Sequence, residues 1–286
     1  MFDFITALFD PDNEFLRLAL YVGTLASFSF GIIGTYVITR RITFLAGSIS
    51  HCIFGGIGAG LYIKNRLGIS WFDPMYGALL SALLAAGIIG FITLYARQRE
   101  DTAIGALWAI GMAAGLVFID LTPGYYNISS YLFGDILIIS KNDLLLVLAL
   151  DIVVISISYC FFNKFLAICF DEEFARLRGI NAGFLYILLL CLIAITVVLL
   201  VRVVGILMVI ALLTLPAATA SHLTGRFLGM MFLAIIFCMV FVWSGIAVSY
   251  SLSLSSGPTI ILVAGLTYLA VLAGKRIWQF SRRVLD

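Results

Sequence analysis

Charged residues are scarce in this sequence. Lys, Arg, Asp and Glu together make up 11% of the 286 residues, whereas 63% are hydrophobic, and the mean hydropathy is +1.16. So few charges could not cover the surface of a water-soluble protein of this size. The composition excludes an ordinary soluble enzyme and is typical of an all-α protein that crosses a lipid bilayer many times.

Several motifs are absent as well. The sequence has no G-x-x-x-x-G-K-[ST] stretch, so we expect any ATP to be bound by another chain. It has two histidines and no nucleophile–base pair, which argues against an enzyme. Its five cysteines have no paired spacing, which favours small buried residues over disulfides or a zinc site. The acidic start MFDFITALFDPDNEF lacks the pattern of a signal peptide, so the first span should be retained.

Long apolar runs predict the membrane spans. A helix needs about 20 apolar residues to cross the hydrocarbon core. The runs that meet this length are 16–39, 44–63, 75–96, 103–120, 144–163, 183–201, 203–222, 228–249 and 258–274. The sixth and seventh run together around Arg202 and Gly205, which leaves eight or nine spans. The region 121–142 is apolar but interrupted by proline and glycine, so we expect an outer surface or re-entrant segment there.

The positions of Lys and Arg predict the orientation of these spans. With nine spans, one side of the membrane receives five of the 17 basic residues and the other side the remaining 12; the five are Arg17, Lys64, Arg66, Lys141 and Arg202. Basic residues are enriched in cytoplasmic loops. The C-terminus is therefore expected in the cytoplasm and the N-terminus outside.

One of the two histidines lies in an unusual place. The stretch GSISHCIFGGIGAG, residues 47–60, carries His51 within a long run that has no charged residue. On a helix, one face of this stretch would hold residues that recur every four positions: Gly47, His51, Gly55 and Ala59. Gly56 and Gly60 add a second pair of small residues. Small residues let membrane helices approach closely, so this segment is predicted to form a tight helix interface.

A loop on the predicted cytoplasmic side, residues 163–184, has the pattern of a short helix. Within DEEFARLRG three acids occupy the first turn and two arginines the end, which matches the helix dipole. Gly179 fits the C-terminal stop. Phe174 and Leu177, three residues apart, form an apolar stripe. The loop is either a helix that inserts into a partner protein or a solvated cap between two spans.

Six stretches together resemble the permease subunits of the zinc/manganese class of ATP-binding-cassette importers. In that family's order they are RRITFLAGSISHCIFGGIGAG, REDTAIGALWAIGMAAGLVFI, SYLFGDIL, FDEEFARLRGI, VGILMVIALLTLPAATA and SGPTIIL. Many members of the family carry an aspartate four residues before the histidine, where this sequence has Gly47. This helix therefore lacks the carboxylate–imidazole pair of those members.

The resemblance implies the fold of the cobalamin and siderophore importer permeases in a shorter form, as one transmembrane domain over residues 1–286. It implies a homodimer of permeases, cytoplasmic ATPase subunits that bind ATP, and an extracytoplasmic metal-binding protein. It also implies a bacterial inner-membrane protein that binds no cofactor of its own and no nucleic acid. The transported divalent ion would be zinc or manganese, with iron as a further candidate.

Site residues follow from this resemblance and from ligand chemistry. An ionisable group within a membrane usually faces a pathway, so we expect His51 to line the path of the ion; the alternative is a hydrogen bond to a neighbouring helix. Asp151, deep in the fifth span, is a weaker candidate for the same path. Asp120 and Asp135 are expected at the outer mouth, where their charge would attract cations unless they are merely solvated. The expected coupling surface for the ATPase, within about residues 170–180, comprises Asp171, Glu172, Phe174, Ala175, Leu177 and Gly179.

Two other functions compete with metal-ion import. A permease for a metal chelate such as a siderophore would share the architecture, but such chains usually have an additional span and need no histidine in the path. A secondary transporter or channel would work without an ATPase, and paired ions or an inverted repeat within the spans would indicate it.

Overall fold

The computed structural model describes residues 4, 7–8, 10, 13–95, 100–124, 132–134 and 140–285, with the backbone alone for 100–101 and 278–285. Regular structure within these ranges is helical, and we number the helices of six or more residues in chain order. They are α1 Glu14–Arg40, α2 Thr43–Asn65, α3 Pro74–Tyr95, α4 Glu100–Asp120, α5 Lys141–Cys160, α6 Phe162–Phe170, α7 Glu172–Leu177, α8 Ala182–Val204, α9 Ile206–Leu223, α10 Phe227–Leu252 and α11 Ser256–Leu285.

In the described part of the chain, nine helices are long and apolar enough to cross a membrane, namely all except α6 and α7. The prediction of nine spans is confirmed, and most bounds differ from it by a few residues. The junction of the sixth and seventh spans is clearer than the sequence indicated. Gly205 has a φ of 79°, a conformation that L side chains rarely adopt, and it separates the end of α8 from the start of α9.

The predicted re-entrant segment 121–142 falls largely on residues outside the described ranges. Its first part, residues 121–124, forms a turn and bend rather than a continuation of α4. The hydroxyl of Thr122 donates to the carbonyl oxygen of Phe118 at 2.6 Å, which satisfies a backbone acceptor in the last turn of α4. The described beginning of the segment is therefore irregular, as the sequence indicated.

Contacts divide the chain into two compact units, each built from segments that are distant in sequence. The first comprises Met1–Ile38, Asp135–Ile155 and Ala211–Asp286. Within it α1 lies directly against α10: a Cβ on Gly31 would be 2.7 Å from the backbone nitrogen of Ile235. The indole nitrogen of Trp243 also donates to the hydroxyl of Thr24 at 2.9 Å. Close packing and a polar contact thus join these two helices, as is common between membrane helices.

The second unit comprises Thr39–Gly134 and Ser156–Ile210. Its most enclosed span is α2, in which 83% of the residues of an 18-residue apolar stretch are buried. One face of α2 lies against α4. A Cβ on Gly55 would be 2.7 Å from the carbonyl oxygen of Gly111, and one on Gly58 would be 2.6 Å from that of Gly115. Real Cβ atoms do not approach other atoms so closely, so these glycines allow the two backbones to touch.

A second face of α2 lies against α3. A Cβ on Gly60 would be 2.6 Å from the Cα atom of Pro74, and Gly56 meets Gly77 in the same way. The predicted role of this glycine-rich stretch as a tight helix interface is therefore confirmed. The stretch forms two such interfaces, one with α4 and one with α3. Of the five cysteines predicted to be small buried residues, Cys52, Cys169 and Cys238 are buried, whereas Cys191 is half-buried and Cys160 is exposed at the end of α5, so the prediction is wrong for Cys160.

A pair of alanine substitutions on α4 tests the close contact with α2. A Cβ on Gly111 would lie 2.8 Å from the Cα atom of Cys52, whereas one on Gly105 would meet nothing within 4 Å. Gly111→Ala should lower the free energy of unfolding by about 1–3 kcal/mol, the usual cost of overpacking. Gly105→Ala should leave it unchanged or slightly raised, because alanine favours the helix.

The measurement is thermal unfolding of each purified variant in detergent, with the amount of monodisperse protein recorded beside it. Equal stability of Gly111→Ala and Gly105→Ala would contradict the backbone contact between α2 and α4.

Candidate functional site

The imidazole of His51 lies between α2 and α4, and only 6% of the residue is exposed. Its ring stacks on the indole of Trp108, with ring centroids 4.3 Å apart and an interplanar angle of 22°. Gly47, one helical turn earlier, makes this arrangement possible, because a Cβ there would be 3.0 Å from Cζ3 of Trp108. Gly47 therefore leaves room for an aromatic ring.

A second side chain of α4 contacts the imidazole. The Nδ1 atom of His51 is 3.1 Å from the Sδ atom of Met112, which stands four residues after Trp108 on the same helical face. Either Nδ1 donates a proton to the sulfur, or both atoms offer lone pairs to a third group. Met112 and Trp108 were not predicted from the sequence as neighbours of His51. Their four-residue spacing between the glycines of α4 is the one signal that could have indicated them.

The other polar side chains around His51 have backbone partners. The hydroxyl of Ser48 donates to the carbonyl oxygen of Ile104 at 3.0 Å, and that of Ser50 donates within α2 to Ala46 at 2.9 Å. The thiol of Cys52 points to the carbonyl oxygen of Leu107 at 3.4 Å. Among the polar side chains of residues 48–52, the imidazole of His51 contacts other side chains, whereas the hydroxyls and the thiol contact backbone carbonyl oxygens. The imidazole is therefore the group of this stretch best able to bind a passing ion.

No cluster of three or more His, Cys, Asp or Glu side chains occurs among the residues that the structure describes. A site at His51 would therefore be sparse in protein ligands. Such a site suits an ion that binds for a short time, because a closed four-ligand shell is the arrangement of permanent structural zinc.

Asp151 belongs to the first unit, where it joins α5 to α1. The hydroxyl of Ser29 donates to its Oδ1 atom, and its Oδ2 atom has no hydrogen-bond partner among the described atoms. The residue is 3% exposed. Asp120 is exposed at the C-terminal end of α4, and Asp135 lies outside the described residues. Of the two acidic candidates that the structure describes, Asp151 is thus the one buried within a span.

The short helix predicted within residues 163–184 is α7, and its C-terminal end follows the sequence pattern. The Oδ1 atom of Asp171 accepts a hydrogen bond from the backbone nitrogen of Phe174 at 2.9 Å, so Asp171 caps the helix instead of lying in its first turn. At the other end Gly179 has a φ of 76°, and its nitrogen donates to the carbonyl oxygen of Arg176 at 3.0 Å.

Glu172 attaches α7 to the end of α1. Its carboxylate is paired with the guanidinium of Arg40 and, at 2.6 Å, with that of Arg176. Arg40 also donates to the carbonyl oxygen of Ile168 and lies 5.3 Å from the ring centroid of Tyr186. Partial burial opposes ionisation of Glu172, but the hydrogen bonds and charges of the two arginines outweigh it and hold the pKa of this carboxyl below its usual range.

The exposed face of α7 carries large apolar side chains that the rest of the described chain does not cover. Phe174 is 50% exposed and Leu177 is 87% exposed, whereas Ala175 between them is buried. The guanidinium of Arg178 lies 5.1 Å from the ring centroid of Phe174. The helix is therefore anchored on one side by Glu172 and presents two large apolar side chains on the other.

Comparison with known proteins gives the family of the chain. The family model described as "ABC 3 transport family" matches residues 12–275. A "Probable metal transport system membrane protein" of Chlamydia pneumoniae is 39% identical, over 90% of this chain and 87% of its own length. The "Manganese transport system membrane protein MntC" of Listeria monocytogenes is 31% identical, over 94% of this chain and 95% of its own length.

A solved structure agrees with this result. The chain is similar to one in "PsaBC from Streptococcus pneumoniae in complex with Fab", with a TM-score of 0.81, 28% sequence identity and coverage of 94% of both chains. Family model, relatives and fold agree over nearly the whole sequence. The chain belongs to the ABC 3 transport family.

Proposed function

We propose that this chain is the membrane-spanning permease subunit of an importer that carries a divalent metal ion across the bacterial cell membrane. The observation that carries the proposal is His51, an imidazole held in a charge-free, glycine-packed span beside the soft sulfur of Met112. Membership of the ABC 3 transport family and relatives named for metal transport support it. The metal ion is cargo, and the chain itself binds no cofactor.

The energy source in this proposal is a separate ATPase subunit on the cytoplasmic side. The chain has no nucleotide-binding motif. The side chains of Phe174 and Leu177 on α7 are exposed at the surface of the unit. An exposed apolar helix face is suited to a protein partner. The complete importer would contain two permease chains, ATPase subunits and an extracytoplasmic protein that delivers the ion.

The two competing functions are supported less well. A chelate permease needs a wide path and no histidine, whereas α2 is packed tightly around His51. A secondary transporter would not need an anchored helix with an exposed apolar face, as α7 has. In the proposed orientation α7 and the C-terminus lie in the cytoplasm, and the loop between α2 and α3 lies outside.

Replacing the histidine tests the proposed path. His51→Ala should reduce metal uptake by about tenfold or more, because the path loses a nitrogen ligand. The amount of assembled protein should stay near that of wild type, since alanine is accepted beside Gly47 and Gly55. His51→Gln should restore uptake only in part, and Asp151→Asn should show a smaller loss if it lines the same path.

The measurement is uptake of radioactive zinc and manganese by cells that express the complete importer, with the membrane content of each variant quantified. Ser50→Ala is the matched control, because the Ser50 hydroxyl bonds only to its own helix at Ala46. Normal uptake by His51→Ala, or a defect explained fully by lost protein, would make His51 a packing residue and refute the proposed path.

Cysteine labelling tests the orientation and the ATPase surface together. Leu67 and Leu177 are 58% and 87% exposed and lie on opposite sides in the proposed topology. In a background with Cys160 and Cys191 replaced by serine, Leu67→Cys should react with a membrane-impermeant maleimide in intact cells. Leu177→Cys should react only in inverted vesicles, and the ATPase subunit should protect it.

The extent of labelling is read from the shift in gel mobility with a maleimide polymer. Reaction of Leu177→Cys in intact cells would overturn the orientation. Equal reaction of Leu177→Cys in inverted vesicles with and without the ATPase would refute α7 as the docking helix.

A further inference from the structure

The contact between Met112 and His51 bears on which metal ion the permease transports. The two atoms that meet, Sδ of Met112 and Nδ1 of His51, are both metal-binding atoms, and they are 3.1 Å apart. For comparison, an imidazole nitrogen and a thiolate sulfur bound to one tetrahedral zinc ion, at about 2.1 and 2.3 Å, are roughly 3.6 Å apart. A shift of a few tenths of an ångström would place an ion between them, and the methionine side chain has the rotatable bonds for that movement.

The two helices that carry this pair, and α3 beside them, have no carboxylate within their apolar stretches. By sequence, α3 carries no Asp or Glu, and neither does α2 in residues 44–63 or α4 in residues 102–119. A Cβ at position 47 would be 3.0 Å from the ring of Trp108, so an acidic side chain there would require the indole to shift. This part of the path is therefore built with an indole and a thioether where an oxygen ligand could have stood.

Ligand chemistry then separates zinc from manganese. Manganese prefers carboxylate, carbonyl and water oxygen, whereas zinc accepts imidazole and sulfur. Neutral nitrogen and sulfur ligands together offer little to a hard ion. We propose that Met112 donates its sulfur to the transported ion beside His51 and makes this importer select zinc over manganese. The inference rests on the proposed function.

Met112→Leu is the test, because leucine has a similar volume and no donor atom. Uptake of radioactive zinc and manganese is measured in the same cells, which express the complete importer and lack other importers of both metals. Met112→Leu should lower the ratio of zinc uptake to manganese uptake by about tenfold. Met230→Leu, the same change at a buried methionine of α10, should leave the ratio as in wild type.

A second variant should also shift the selectivity from zinc toward manganese, in this case by adding an oxygen ligand. Gly47→Asp combined with Trp108→Ala removes the indole and supplies a carboxylate one turn from His51. This variant should raise manganese uptake relative to zinc uptake, because an oxygen ligand favours the harder ion.

The outcomes separate this inference from the proposed function. An unchanged zinc-to-manganese ratio in Met112→Leu, together with lost uptake in His51→Ala, overturns the sulfur ligand and leaves the path in place. An equal loss of both metals in Met112→Leu at normal protein levels also overturns it, since the residue would then only position the imidazole. Normal uptake by His51→Ala overturns the proposed path itself.

Discussion

The backbone of α2 lies against the backbones of α3 and α4 because glycines leave no side chain between them. In water, apolar burial would hold three such helices together; in a bilayer the lipid is as apolar as the helices, and close van der Waals contact must take its place. Gly55, Gly58 and Gly60 provide that contact. The organisation of the second unit depends on it, because α2 is enclosed by its neighbours and carries His51.

Within the same unit, contacts link the exposed helix α7 to the helix that carries His51. The exposed helix α7 is paired through Glu172 with Arg40, the last residue of α1. Thr43 begins α2 three residues later, and His51 lies about two turns along it. In the proposed importer, an ATPase that displaces α7 would therefore act on the start of the helix that carries the imidazole.

The local features of the fold could be predicted from the sequence, whereas the pairings between distant residues could not. Span lengths follow from apolar runs, and the ends of α7 follow from Asp171 and Gly179, whose effects are confined to adjacent residues. The glycine spacing of α2 indicated an interface but not its partner helix. Met112 lies 61 residues from His51, and Glu172 lies 132 residues from Arg40, so no local pattern connects them.

Reconstitution tests the central claim most directly, namely that this chain carries a metal ion only as part of an ATP-driven importer. The permease and its ATPase are placed in liposomes, with the metal-binding protein and zinc on the side of the loop between α2 and α3. ATP is supplied on the side of α7, and zinc transfer is followed with a fluorescent chelator. The account predicts transfer only when both the ATPase and ATP are present. Zinc transfer by the chain alone, without an ATPase, would contradict it.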